Sequence, residues 1–387
     1  MRESTGLAVL PAVSRMPEQV DVRRRRMVWY DGLRWSRRHL MSSAVVAAIV
    51  ASGLVSLHAE HPHAAPRVTS LTNPKVRFRS AEAHHVVLTN GEVTAVIVDN
   101  AAVTGGPLKA DHRAGYNGVA QLTHRRRPDN IFRAPYAGIN YEHIHDGTLA
   151  VSREKFEPRV SPMELRIVDR STVELYQPPT KNWKLESCGR YRLLEDGAIE
   201  YTFECIPRAR TFRHGFIGLF WASYIDRPED KAIHFRGRRL ETVGAGEWIK
   251  WLPPSHGVAS THRPEGSRLP KVVSGFPLTL VNHPSRFVYT SPWYYGVSHG
   301  MALAQVFRDR DRIWMAQSPT GGGATNPAWD FQWFVPDYQV NQAYGFVMRV
   351  VYVPYKSREQ VTRAVRPHLE SLNRSPERGD RRESRSR

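Results

Sequence analysis

From residue 75 to residue 353 the chain runs through one short β-forming stretch after another, each closed by Gly, Asn, Asp or Pro, and no helical segment alternates with them. That succession excludes a parallel α/β design, which needs a helix at each crossover. Expected strands are Lys75–Phe78, His85–Leu88, Val93–Val98, Met163–Val168, Thr172–Tyr176, Leu185–Leu193, Ile199–Ile206 and Phe216–Tyr224. Further along come Ala232–Phe235, Phe287–Thr290, Met301–Phe307, Ile313–Ala316, Trp329–Val335 and Ala343–Val353. One helix is expected, Arg358–Leu372, started by Ser357 with Gln360 three residues on, which is a capping box. The fold class is therefore all-β with one C-terminal helix. With 10% aromatics, 27 Gly and 27 Pro in 387 residues, the composition suits many strands joined by turns. The expected layout is a linker over 61–72, one β domain over 73–373 and a disordered basic tail over 374–387.

Two cysteines test the register of one hairpin. Leu185–Leu193 and Ile199–Ile206 flank Glu195-Asp196-Gly197. A two-residue turn would set Cys188 opposite Cys205, close enough for a disulfide. The apolar pattern favours another register: Leu185, Tyr191 and Leu193 share one face, as do Ile199, Tyr201 and Phe203. Those faces coincide only with a three-residue loop and Gly197 left-handed, which points the sulfurs to opposite sides. Free thiols are expected.

The first sixty residues describe export. Arg23-Arg24-Arg25-Arg26 lies in a basic lead, and Met41–Leu57 is an uncharged run rich in Ala, Val and Ser. Ser36-Arg37-Arg38-His39-Leu40-Met41 is similar to a twin-arginine signal, with Leu40 where Phe is usual. The expected address is periplasmic, cell-surface or secreted, with an uncleaved membrane anchor through 41–57 as the alternative. The formal charge is +18, of which +4 falls in residues 1–65, +3 in residues 374–387 and +11 on the body between. No helix-turn-helix, RNP strand or zinc-finger spacing accompanies it, so nucleic acid is not an expected partner. An acidic polysaccharide would use the same field.

The stretch richest in chemistry is Pro135-Tyr-Ala-Gly-Ile-Asn-Tyr-Glu-His-Ile-His-Asp-Gly147. If it is extended, His143 and His145 share one face, while Glu142, Ile144 and Asp146 share the other. Two imidazoles on one strand face suit proton transfer to and from hydroxyls. A second pattern is Trp329-Asp330-Phe331-Gln332-Trp333: the three aromatics read as core, so Asp330 and Gln332 project the opposite way. Trp293-Tyr294-Tyr295 is a candidate sugar platform. His214, His262, His283 and His299 recur beside other β stretches. There is no His-Glu-x-x-His, no Cys-x-x-Cys and no Gly-x-Ser-x-Gly, so neither metal nor cofactor is expected.

Asn326-Pro327-Ala328-Trp329-Asp330-Phe331-Gln332, Tyr344-Gly345-Phe346-Val347-Met348-Arg349 and Glu142-His143-Ile144-His145-Asp146 together resemble exported bacterial proteins related to the galactose mutarotase-like superfamily. The resemblance covers roughly residues 75–370. It implies an antiparallel β-supersandwich with a sugar groove. It also implies a His acting as acid at the ring oxygen and a carboxylate acting as base at the anomeric hydroxyl. On this reading His143 or His145 is the acid and Asp330 or Glu142 the base. Tyr136, Asn140, Tyr141, Arg286, Trp293, His299, Arg308 and Gln332 are the candidate substrate contacts. The expected function is epimerase-like chemistry on a sugar. The alternatives are a polysaccharide lyase using Tyr136, Tyr141, His299 and Arg308, or a non-catalytic glycan-binding surface protein.

Overall fold

Alternation of apolar and polar side chains makes the strands, and closure of a core makes them into one body. The computed structural model describes residues 62–148, 152–276 and 283–374. The basic lead, the 41–57 run expected to direct export and the tail from residue 375 lie outside the described residues. Among the described residues no helix is long and apolar enough to cross a membrane.

Eighteen strands are described. The large sheet runs β1 (Arg79–Ser80), β6 (Glu164–Asp169), β7 (Thr172–Gln177), β8 (Leu185–Leu193), β9 (Ile199–Pro207), β18 (Tyr344–Pro354), β15 (Met301–Phe307), β14 (Pro284–Ser298), β13 (Thr261–Pro264), β16 (Trp314–Gly323), β17 (Asn326–Pro336), β10 (Phe216–Ala222), β5 (Asn140–His145). The small sheet is β2 (His85–Thr89), β3 (Val93–Val98), β4 (Gly118–His124). A side ribbon, β11 (Ile233–Arg239) and β12 (Glu247–Trp251), hangs on β14 (Pro284–Ser298). Pairing is antiparallel apart from β13 (Thr261–Pro264) on β14. The large sheet bends until its two halves face each other. Tyr141 of β5 (Asn140–His145) packs on Phe203 of β9 (Ile199–Pro207), with ring centroids 5.0 Å apart. Trp221 of β10 (Phe216–Ala222) donates its indole N–H to the Tyr201 hydroxyl at 3.0 Å. Phe346 of β18 (Tyr344–Pro354) meets Trp333 of β17 (Asn326–Pro336) at 5.2 Å. This is an antiparallel β-sandwich closed on an aromatic core, in which each fully buried aromatic contributes about 2–3 kcal/mol of transfer free energy.

Most expected strands appear within two residues of their ends. Lys75–Phe78 is not a strand; pairing there is confined to β1, Arg79–Ser80. β4 (Gly118–His124), β12 and β13 were not expected, being short or interrupted by polar residues. In the β8–β9 hairpin Leu193 pairs with Ile199 and Cys188 with Glu204, with Gly197 left-handed at φ 84°. Both thiols are free and buried. The C-terminal helix, here α3, is Arg358–Asn373, and Ser357 Oγ accepts from the Gln360 N–H at 3.3 Å. It covers the outer face of β14, β15 (Met301–Phe307) and β18, burying Val361, Val365 and Leu372.

The stretch expected as a linker is tied down. Buried Glu204 accepts from the N–H groups of Val68 and Thr69 and the hydroxyls of Thr69 and Thr72. Buried Glu174 accepts from the N–H and hydroxyl of Ser70. Two carboxylates, on the strands either side of β8, thus hold a polar strap whose composition alone reads as loop.

Candidate functional site

β5 is the last strand of the sheet order, with β10 as its neighbour. His145 pairs with Gly218, Ile144 with Leu219 and His143 with Phe220, but Tyr141 then pairs with Trp221. Glu142 is the extra residue of a β-bulge, a device that re-aims a side chain. Strict alternation would have put Glu142 opposite His143. The bulge instead brings its Oε1 to 3.7 Å from His143 Nε2. Oε2 accepts the Tyr224 hydroxyl at 2.7 Å and the Asn140 side-chain amide at 3.0 Å, while Oε1 faces Arg159 Nη1 at 3.2 Å. Tyr141 and Ile144 stay in the core.

β17 contributes the second part. Trp329, Phe331 and Trp333 are core residues, so Asp330 and Gln332 face the other way, as the alternation requires. Gln332 pairs with Phe220, and Phe220 with His143, so the three form one row across adjacent strands. Strands two apart lie roughly 10 Å from each other. Gln332 also donates to Thr261 Oγ1 at 3.2 Å. Asp330 Oδ1 accepts the Ser223 N–H at 3.0 Å, and the Ser223 hydroxyl accepts the Ile139 N–H at 3.0 Å.

Aromatic rings close the neighbourhood. Tyr116, Tyr136 and Tyr224 meet with centroids 4.7–5.7 Å apart. The Arg159 guanidinium lies 4.0 Å from the Tyr116 ring centroid and 5.0 Å from that of Phe156. Phe156, between α1 (Ser152–Lys155) and α2 (Glu157–Val160), packs on His143 at 4.6 Å. His145 sits among Phe216, Phe276 and Phe334 at 5.2–6.1 Å. Sequence reasoning passed over Tyr116, Arg159 and Tyr224. Arg159 and Tyr116 carry no local signal, and Tyr224 only closed an expected strand.

Burial sets the proton-binding properties. It pushes the Glu142 carboxyl up, against the opposing pull of Arg159, Tyr224 and Asn140. It pushes Asp330 well up, with the Ser223 N–H opposing and Glu142 adding to the rise. It pulls His143 well below the usual imidazole range, with His145, Lys155 and Arg159 reinforcing. It lowers His145 to about 3, with Asp146 opposing. The ring nitrogens of both histidines are buried and have no hydrogen-bond partner among the described residues. Burial thus opposes the charged form of both the imidazole expected as acid and the carboxylates expected as base. The carboxyls are biased toward their protonated form and the imidazoles toward their neutral form. Among the described residues no three His, Cys, Asp or Glu side chains gather as a metal site.

Several expected contacts lie elsewhere. Tyr141 is a core residue, its ring stacked on Trp221 at 5.1 Å. Trp293 packs in the outer layer beside Trp248 and the α3 side chains, on the side of the sheet turned away from the core. Arg308 is engaged by buried Asp311 through Nε and Nη2 at 2.9 and 2.7 Å, which commits that edge of its fork to a bidentate ion pair. Arg286 is exposed, with its guanidinium 5.8 Å from the Trp251 ring on the β11–β12 side. His299 occupies the β14–β15 turn and lines a separate cleft. Tyr136, Asn140, Glu142, His143, His145, Asp330 and Gln332 remain on one face.

No family model and no curated protein matches this chain. Solved structures give distant likenesses. A candidate aldose 1-epimerase of Escherichia coli K12 aligns with TM-score 0.42 and 9% identity over 70% of this chain and 99% of that one. Heparan sulfate lyase of Pedobacter heparinus aligns with TM-score 0.36 and 11% identity over 73% and 37%. 4-alpha-Glucanotransferase of Thermococcus litoralis aligns with TM-score 0.35 and 9% identity over 73% and 40%. This chain thus spans under half the length of the lyase and the transferase. Scores this low are a likeness of architecture in broad outline. Their activities differ, and none passes to this chain with the likeness.

Proposed function

We propose that this protein is an exported carbohydrate-active protein with epimerase-like acid/base chemistry centred on Glu142 and His143. The supporting observation is the bulge that sets the Glu142 carboxyl, its proton affinity raised by burial, 3.7 Å from the His143 imidazole on one face. Neutral His143 accepts the proton of the anomeric hydroxyl while Glu142 gives its proton to the ring oxygen. The ring C–O bond breaks as the carbonyl forms, and reclosure on the other face returns both protons. Asp330, whose proton affinity burial also raises, is a second carboxyl on this face and would donate a hydrogen bond to a hydroxyl when protonated. The rings of Tyr116, Tyr136 and Tyr224 supply apolar surface for a sugar face. Polarimetry on a panel of aldoses tests the reading. Glu142→Gln and His143→Gln should each slow interconversion about a hundredfold or more. Equal rates in wild type and both variants would refute it.

The convergence of three tyrosines with Arg159 supports a second reading, a lyase that abstracts a proton beside a uronate. A product with new ultraviolet absorption from a double bond would select that reading. Saturable glycan binding with no change in the sugar would select a non-catalytic glycan-binding protein. Export through residues 36–57, cleaved or kept as an anchor, belongs to the proposal. Fractionation with sequencing of the mature N-terminus checks it.

A further inference from the structure

A cleft of about 410 Å³ opens beside the candidate site and is lined by Lys109, Arg127, Arg133, Arg227 and His299. Two carboxylates line it, and each is already engaged. Asp129 faces Arg127 at 3.0 Å and Asp226 faces Arg227 at 3.3 Å, while the His299 N–H donates to Glu229 at 2.8 Å. The Lys109 ammonium donates to the Pro128 carbonyl and has no ion-pair partner among the described residues. Arg133 has no carboxylate partner among the described residues, and its Nε is buried without a hydrogen bond. A guanidinium left in this state, next to an uncompensated ammonium, is half of a bidentate oxyanion site.

The backbone holds this arrangement at a conformational cost. Arg227 and His299 are both left-handed, at φ 32° and 51°, a region that side-chain-bearing residues occupy only when their surroundings fix them. The Arg227 N–H is fixed by Asn326 Oδ1 at 3.0 Å. The cleft also touches the candidate site through the chain. The Arg133 N–H donates to the Tyr224 carbonyl at 2.9 Å, and the Tyr136 N–H donates to the Arg133 carbonyl at 2.8 Å. The same residue that anchors Arg133 holds Glu142 with its hydroxyl.

We infer that this cleft takes the oxyanion of an acidic saccharide, a carboxylate or a sulfate, with Arg133 as the principal contact and Arg227 as its partner across the opening. The inference rests on the carbohydrate reading above and names the substrate class for it. Its test is calorimetry on the full chain carrying Glu142→Gln, with D-glucuronate, D-glucose 6-sulfate, D-glucose and inorganic sulfate as probes. The acidic sugars should bind roughly tenfold or more tightly than glucose, with the margin shrinking as salt rises. Arg133→Gln should remove most of that margin and leave glucose binding unchanged, while Arg133→Lys should keep part of it. Arg227→Gln, at a side chain 70% exposed, removes part of the margin without endangering the fold. Equal affinity for charged and neutral sugars, or variants that keep the full margin, would overturn the inference and leave the carbohydrate reading intact. Inorganic sulfate binding as tightly as the sulfated sugar would reduce the cleft to an ion site and overturn it too. Binding of no sugar at all would sink both.

Discussion

The hydroxyl of Tyr224 and the carboxyl of Glu142 are 2.7 Å apart across 82 residues of sequence. The contact exists because the bulge in β5 turns Glu142 onto the face where the chain leaving β10 places Tyr224. It ties the acid/base pair to the tyrosine cluster. Tyr224→Phe should cost about 1–3 kcal/mol, since a buried acceptor then loses its donor. In a double-mutant cycle with Glu142→Gln, measured by denaturant unfolding, the two costs should fall short of additivity. Full additivity would show that the contact contributes nothing.

The buried titratable groups give opposite slopes of stability with pH. His145 binds its proton near 3 when folded and near 6.5 when unfolded. Between those values the unfolded chain holds the proton and the native one does not. The stabilisation is therefore complete above about pH 6.5 and is lost as pH falls, by at most about 1.4 kcal/mol per pH unit. Asp330 has the reverse sense, because its folded value is raised: its contribution is present at low pH and fades as pH rises. Relative to wild type, His145→Phe should gain stability toward pH 4 and Asp330→Asn toward pH 8. Urea midpoints that move in parallel for all three proteins would contradict both assignments.

Gly218 faces the His145 ring so closely that a Cβ there would stand under 3.0 Å from three ring atoms. Gly218→Ala should cost about 1–3 kcal/mol by overpacking. Shrinking the opposing side chain in Gly218→Ala/His145→Ala should recover part of the cost relative to His145→Ala alone. Thermal melts of the four proteins decide it. An unchanged melting point for Gly218→Ala would mean that the ring is free to move.

Glu204 holds the strap at residues 68–72 through two N–H groups and two hydroxyls. Glu204→Ala should destabilise by about 2–4 kcal/mol, because four donors lose their acceptor at once. The strap amides should also lose hydrogen-exchange protection before the β9 amides do. Retained protection at Thr69 would show that other contacts hold the strap.

Much of the fold was legible because its local rules are strong. Period-two alternation placed Trp329, Phe331 and Trp333 inward and Asp330 and Gln332 outward. Matching apolar faces fixed the register of the hairpin at Gly197 and left Cys188 and Cys205 unpaired. Ser357 started its helix where a capping residue should. These features depend on neighbours a few residues away, so the chain carries them in any context.

The site was decided elsewhere. A single bulge moved Glu142 beside His143, and no residue pattern within β5 announces it; the partner register across β10 does. Tyr116, Arg159 and Tyr224 arrive from three distant segments, and their convergence is a property of how the sheet closes. Arg308, Trp293 and Tyr141 had suitable chemistry but were committed to Asp311, to the helix-covered layer and to the core. The sequence by itself determined which stretches become strands and which face of each is apolar, because those follow from short-range sterics and hydrophobicity. Only the tertiary structure decided which polar groups lose their water and meet, because desolvation is set by everything that packs around them.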